Sequence, residues 1–146
     1  MIDFFLSRSI STNNKLSPSY LFAAISGFES CCISRASNNN NQVAWYIITQ
    51  NMIRDAGAKA DDIDGFTDFI RSIKGVEIAC MIQEINSNTF RINFRSSGNY
   101  IINDIAKSMG GGGHYYAAGA RVEGTNINDL ETMLVEKLNN KIESGN

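Results

Sequence analysis

A change of hydrophobic period at Gly75 constrains this chain more than any other feature. Before it, Phe66, Phe69, Ile70 and Ile73 fall at the helical spacing i, i+3, i+4 and i+7. After it, Val76, Ile78, Cys80 and Ile82 alternate with Glu77, Ala79, Met81 and Gln83. The first pattern lays an apolar stripe along a helix that starts near Asp61 or Asp62; the second lays an apolar face along a strand. Asn86-Ser87-Asn88 supplies turn chemistry, and Phe90, Ile92 and Phe94 resume the alternation, which predicts a β-hairpin. Arg91, Asn93 and Arg95 then form a polar stripe on the face opposite the three apolar residues.

The flanking segments fit around this hairpin. Val43, Ala44, Trp45, Tyr46, Ile47 and Ile48 form a short apolar run rich in strand formers, followed by Thr49 as the cap of a short helix that Gly57 ends. Asn103 or Asn99 is placed to cap a helix carrying Ile102, Ile105, Ala106 and Met109. Residues 117–122 read as a last strand, and Ile127, Leu130, Leu134, Leu138 and Ile142 mark a closing amphipathic helix. The order predicts an α/β domain, a mixed sheet flanked by helices, over residues 42–146. Residues 1–41 read as a linker with one amphipathic helix near residues 20–28 and a low-complexity Asn loop.

Composition narrows the function classes. Lys and Arg total 13 against 15 Asp and Glu, a net charge of −2. Proteins that grip long duplexes gain affinity by neutralising many phosphates, so this balance argues against long DNA and for a short ligand held by a few placed groups. Three cysteines, Cys31, Cys32 and Cys80, make no disulfide framework and lack the spacing of a zinc site; Cys80 belongs to an apolar strand face. No apolar run approaches the roughly 20 residues that cross a bilayer, and no signal peptide is evident, so a cytoplasmic protein with no membrane partner is expected.

The chemistry gathers at Gly110, Gly111, Gly112 and Gly113, followed by His114, the one histidine of the sequence. Glycines clamped between an amphipathic helix and an apolar segment are no linker. They let backbone N–H groups approach an anion, and His114 can donate to a phosphate oxygen. A tight turn with a structural histidine is the competing reading. Arg95 and Ser96, at the end of the polar stripe, add a guanidinium fork and a hydroxyl. Elsewhere, Asp61-Asp62-Ile63-Asp64-Gly65 has the wrong acid spacing for a calcium loop, and Lys107-Ser108 precedes the glycines, the reverse of a P-loop. Trp45 reads as packing, and Arg71 is as readily a solvated helix residue as a ligand contact.

The string from Gly110 through His114, Tyr115, Tyr116, Ala117, Ala118 and Gly119 to Ala120 resembles the signature of the DHH-associated C-terminal domain of DHH-family phosphoesterases. The stretch from Asp64 through Arg71 to Glu77, and that from Phe90 to Ser96, match in order and spacing. The nearest subgroup is the oligoribonuclease and pAp phosphatase type, the NrnA-like enzymes. The resemblance implies short oligoribonucleotides, pAp or linear dinucleotides as ligands. It implies Arg95 and Ser96 on a phosphate or sugar edge, Gly110, Gly111, Gly112 and Gly113 as backbone donors, and His114 on a phosphate. In that family a separate N-terminal domain holds a manganese pair on Asp and His ligands. No Asp-His-His occurs here, so no catalytic residue and no metal ligand is assigned to this chain, which is expected to bind without turnover. A DHH catalytic domain or a second copy of the chain is the expected protein partner. Two alternatives stay open: a stand-alone nucleotide-sensing module, and the corresponding domain of a RecJ-type single-strand exonuclease.

Overall fold

Six strands form one mixed sheet in the order β1-β2-β3-β4-β6-β5. The structure, a computed structural model, describes residues 34–36 and 42–145. The strands are β1 (Ser34–Ala36), β2 (Val43–Ile48), β3 (Ile78–Asn86), β4 (Thr89–Ser96), β5 (Gly112–His114) and β6 (Ala117–Glu123). β2 and β3 run parallel, whereas every other neighbouring pair is antiparallel. The connection from β2 to β3 carries helix α1 (Gln50–Asp55), a 3-10 turn (Ala60–Ile63) and helix α2 (Phe66–Arg71). Helix α3 (Asn103–Ser108) precedes β5, and the long helix α4 (Ile127–Ser144) closes the domain.

The expected α/β architecture, a mixed sheet with helices on its faces, is present, with four corrections. The sheet takes in Ser34–Ala36, ahead of residue 42, as an antiparallel partner of β2. The single helix expected from Asp61 to Ile73 is two pieces divided at Gly65, because the Asp62 carboxylate accepts the Lys59 N–H at 2.8 Å and holds a tight 3-10 turn. Helix α3 has no side-chain cap: Ile102 occupies that position, Asn99 donates to Glu77 instead, and Asn103 lies inside the first turn, buried. The fourth correction, the glycine run, belongs to the site. The expected helix near residues 20–28, the Asn loop at 38–41 and the Cys31-Cys32 pair lie outside the described residues.

Strand alternation divides the core between the two faces of the sheet. On one face Val43, Trp45, Cys80, Ile82, Phe90, Ile92, Phe94 and Ala118 meet α3 and the buried row Leu130, Leu134, Leu138 and Ile142 of α4. Trp45 is packing, as its sequence context implies, and its indole N–H donates to Glu131 Oε1 of α4 at 2.7 Å. Burial pushes the Cys80 thiol well above its ordinary range, leaving it an inert core group. On the other face Ala44, Tyr46, Ile48, Ala79 and Met81 lie under Ile63, Phe66 and Ile70 of the crossover. Burying each large apolar side chain stabilises the fold by about 1.5–3 kcal/mol. The crossover helices cover only the β2–β3 half of that second face.

Helices α3 and α4 are tied by Lys141, whose Nζ donates to Asp104 Oδ2 at 2.8 Å. Partial burial raises the Asp104 carboxyl, but the Lys141 hydrogen bond, the Ile105 N–H and the lysine charge together hold it below its ordinary value of 3.8. A carboxyl depressed in the folded state stabilises above its unfolded pKa and loses that contribution as pH falls through the folded value. The Asp104→Asn variant is therefore expected to lose no more than about 1 kcal/mol at neutral pH, since Asp104 is solvent-exposed. In urea unfolding, the gap between wild type and variant should close as pH drops below about 4.

Candidate functional site

Beyond the crossover helices, the other half of the second face is a polar shelf. Side chains on one face follow rows across the paired strands. Ala44, Ala79, Arg95, Ala117 and His114 form one such row, and Tyr46, Met81, Asn93, Gly119 and Gly112 form the next. Ile48, Gln83, Arg91 and Arg121 form the third. Each row is apolar on β2 and, save for Gln83, on β3, where the crossover helices sit. Each turns cationic, polar or small on β4, β6 and β5, where no helix of the described residues lies. There the floor of Ala117 and Gly119 lies between Arg91, Asn93, Arg95, Arg121 and His114, and these enclose an open concavity of about 590 Å³. That volume lies within the roughly 300–1,000 Å³ of small-ligand sites. Adjacent strands are about 4.8 Å apart, so Arg95 and His114, two strands apart, flank a gap of roughly 10 Å.

The guanidinium groups are positioned by weak surface contacts. Arg91 Nη1 lies 3.6 Å from Asp64 Oδ1, Arg95 Nε lies 3.5 Å from Asp68 Oδ1, and Arg121 Nε lies 2.8 Å from Glu123 Oε1. Arg95 also donates from Nη1 to the Phe94 carbonyl at 2.9 Å. Arg71 pairs with Asp68 at 3.6 Å, one turn away on its own helix, and does not line the concavity. Exposed ion pairs of this kind contribute about 0–1 kcal/mol, whereas a hydrogen bond to a charged group contributes about 1.5–3 kcal/mol. A phosphate entering the shelf can therefore draw the arginines away from their carboxylates.

The glycine run is built differently from a cradle of four free amides. The Gly111 N–H donates to the Ala106 carbonyl at 2.8 Å and the Gly110 N–H to the Lys107 carbonyl at 3.0 Å. With Gly110 at φ +77°, these are the two bonds of a Schellman motif that closes α3. Two of the four expected donors are thus spent on the helix's own unsatisfied carbonyls. Gly112 and Gly113 begin β5, paired with Gly119 and Ala118 of β6. Gly111 admits no side chain, since a Cβ there would lie 2.6 Å from Ala120 Cα. Much of what requires glycine here is thus a helix stop followed by a close backbone approach, as the competing tight-turn reading implies.

Of the residues expected at the site, Arg95, Gly111, Gly112, Gly113 and His114 line one concavity. Gly110 is outside it, in the helix stop. Ser96 is a correction: strand alternation turns it to the core side of β4, where it is 6% exposed and its Oγ accepts the Gly98 N–H at 3.2 Å. Arg121, unremarked in the sequence, joins the site because it alternates with Ala120 and Val122 and stands opposite Arg91. Its signal was the two-residue spacing from Gly119, available once residues 117–122 are read as a strand. Among the described residues no group of three or more His, Cys, Asp or Glu side chains is placed to hold a metal. Nor is any described helix long and apolar enough to cross a membrane.

With the fold and the shelf described, comparison with known proteins identifies the family of this α/β domain. It belongs to the DHHA1 domain family, whose model matches residues 38–144. Over 96 residues it is 28% identical to the bifunctional oligoribonuclease and PAP phosphatase NrnA of Thermus thermophilus, covering 66% of this chain and 29% of that protein. An exopolyphosphatase-related protein from Bacteroides fragilis superposes with a TM-score of 0.64 at 21% identity, over 90% of this chain and 36% of the other. The pGpG-specific phosphodiesterase PggH of Vibrio cholerae superposes with a TM-score of 0.52 at 12% identity, over 84% of this chain and 39% of the other. The chain thus spans less than two fifths of the length of each of these relatives.

The glycine geometry carries its own test. Gly111→Ala is expected to cost at least about 1–3 kcal/mol of stability, as an overpacked site does. Thermal unfolding without ligand should show it as a lower midpoint. An unchanged midpoint would mean that the close approach to β6 is not fixed.

Proposed function

We propose that this domain binds a short phosphorylated nucleotide, of the pAp, linear-dinucleotide or short-oligoribonucleotide kind, with a phosphate over the β4–β6 shelf. The observation that carries the reading is the convergence of Arg91, Arg95, Arg121 and His114 on one concavity floored by Ala117 and Gly119. Arginine presents a planar fork that matches phosphate oxygens, and the small floor lets the ligand lie close to the backbone. The activities of the relatives, on oligoribonucleotides, pAp and pGpG, support the same ligand class. Recognition rests mainly on side chains, because the Gly110 and Gly111 amides are engaged within the chain.

In this reading the described part of the molecule binds and orients, and bond cleavage belongs to a DHH catalytic domain in the same or another chain. A long single strand, as a RecJ-type enzyme takes, is a poorer fit: Arg91, Arg95, Arg121 and His114 form one compact cluster, and the net charge of −2 offers no basic surplus for an extended track. The sensing-module alternative rests on the helix near residues 20–28, outside the described residues.

Calorimetric titration of pAp into the full chain tests the proposal. Arg95→Ala is expected to weaken binding about tenfold or more, the worth of one hydrogen bond to a charged group. Absence of pAp binding at millimolar concentration by folded wild-type protein would refute it.

A further inference from the structure

Past the shelf, the β5–β6 hairpin turns on two large aromatic residues. Tyr115 and Tyr116 are 61% and 45% exposed, in a two-residue turn where small residues are the usual occupants. Their ring centroids lie 6.4 Å apart at an interplanar angle of 76°. The edge-to-face pair forms a corner, one ring face beside one ring edge. With Gly113, His114 and Asn103 these rings line a second open concavity of about 320 Å³. Asn103, in the first turn of α3, is 6% exposed and contributes to this lining.

We propose that the corner made by Tyr115, Tyr116 and Asn103 is a nucleobase subsite, contiguous with the phosphate shelf through Gly113 and His114. The inference rests on the phosphate reading above and adds the base to it. Gly113 and His114 line both concavities, so a ligand lying across the end of β5 touches the two at once. Unpaired bases are recognised by stacking on aromatic rings and by hydrogen bonds to their edges. A tyrosine ring supplies the first. The Asn103 amide, with donors and an acceptor side by side, supplies the second and suits the paired donor and acceptor of an adenine edge. The ligand class is therefore a nucleotide with an unpaired purine, its phosphate toward Arg95 and its base beyond His114.

The test compares two probes on the full chain by calorimetry: pAp, and the ribose bisphosphate that lacks its adenine. Wild type should bind pAp about tenfold or more tightly than the base-free probe, the usual worth of one stacked base. The double variant Tyr115→Ala/Tyr116→Ala should lose that preference, so that the two affinities converge. Its fold is protected, because the hairpin contributes backbone carbonyls: Tyr115 O accepts the Ile102 N–H at 2.8 Å and Tyr116 O the Ser96 N–H at 2.9 Å. Equal binding of both probes by wild type would overturn the base subsite while leaving the phosphate shelf standing. So would a full pAp preference in the double variant. Failure of both probes to bind at all would remove the shelf, and the subsite with it.

Discussion

Strand β4 is hydrogen-bonded on both sides, to β3 and to β6, and its side chains alternate between two faces of very different character. Phe90, Ile92 and Phe94 enter the core beneath α3 and α4, which fixes the register and leaves Arg91, Asn93 and Arg95 no other direction. A slip of one residue would bury three polar groups and expose three large apolar ones, at a cost of many kcal/mol. The register of β4 in turn sets Arg121 beside Arg91 and places Gly119 opposite Asn93. The cationic shelf is thus a by-product of core packing on the reverse face.

The crossover helices decide where the shelf is open. They cover Ala44, Tyr46, Ala79 and Met81 and stop at the β3–β4 boundary, where Asp64 and Asp68 meet Arg91 and Arg95. These carboxylates hold the guanidinium groups loosely and offset part of their charge. That division of labour reconciles an acidic overall balance with the proposed phosphate-binding face: the positive field is local and directional, and it favours a small anion over a long polyanion.

Much of this was legible in the sequence because it depends on period. The change at Gly75, the alternation through Phe90, Ile92 and Phe94, and the spacing from Leu130 to Ile142 each correspond to an observed element. The resemblance carried by the Gly110 to Ala120 string likewise led to the DHHA1 family. What sequence could not supply was the destination of individual backbone donors. Four glycines before a histidine suit a phosphate loop, yet two of those amides close a helix and two residues start a strand. Short strands such as β1 and β5 have too few residues to show alternation. Ser96 sits beside Arg95 in the chain and was grouped with it, although adjacent strand residues face opposite ways. Arg121 reaches the site only through pairing with a strand distant in the chain, which local sequence does not reveal.

The central claim is that β4, β6 and β5 together present one phosphorylated-nucleotide site on the half of the sheet that no described helix covers. Amide chemical-shift mapping by NMR during a pAp titration tests it most directly. The account expects perturbations concentrated at Arg91, Asn93, Arg95, His114, Gly119 and Arg121, with the α4 amides unmoved. Saturable shifts centred on α4 or on the α1 side of the sheet, with the shelf unmoved, would contradict it.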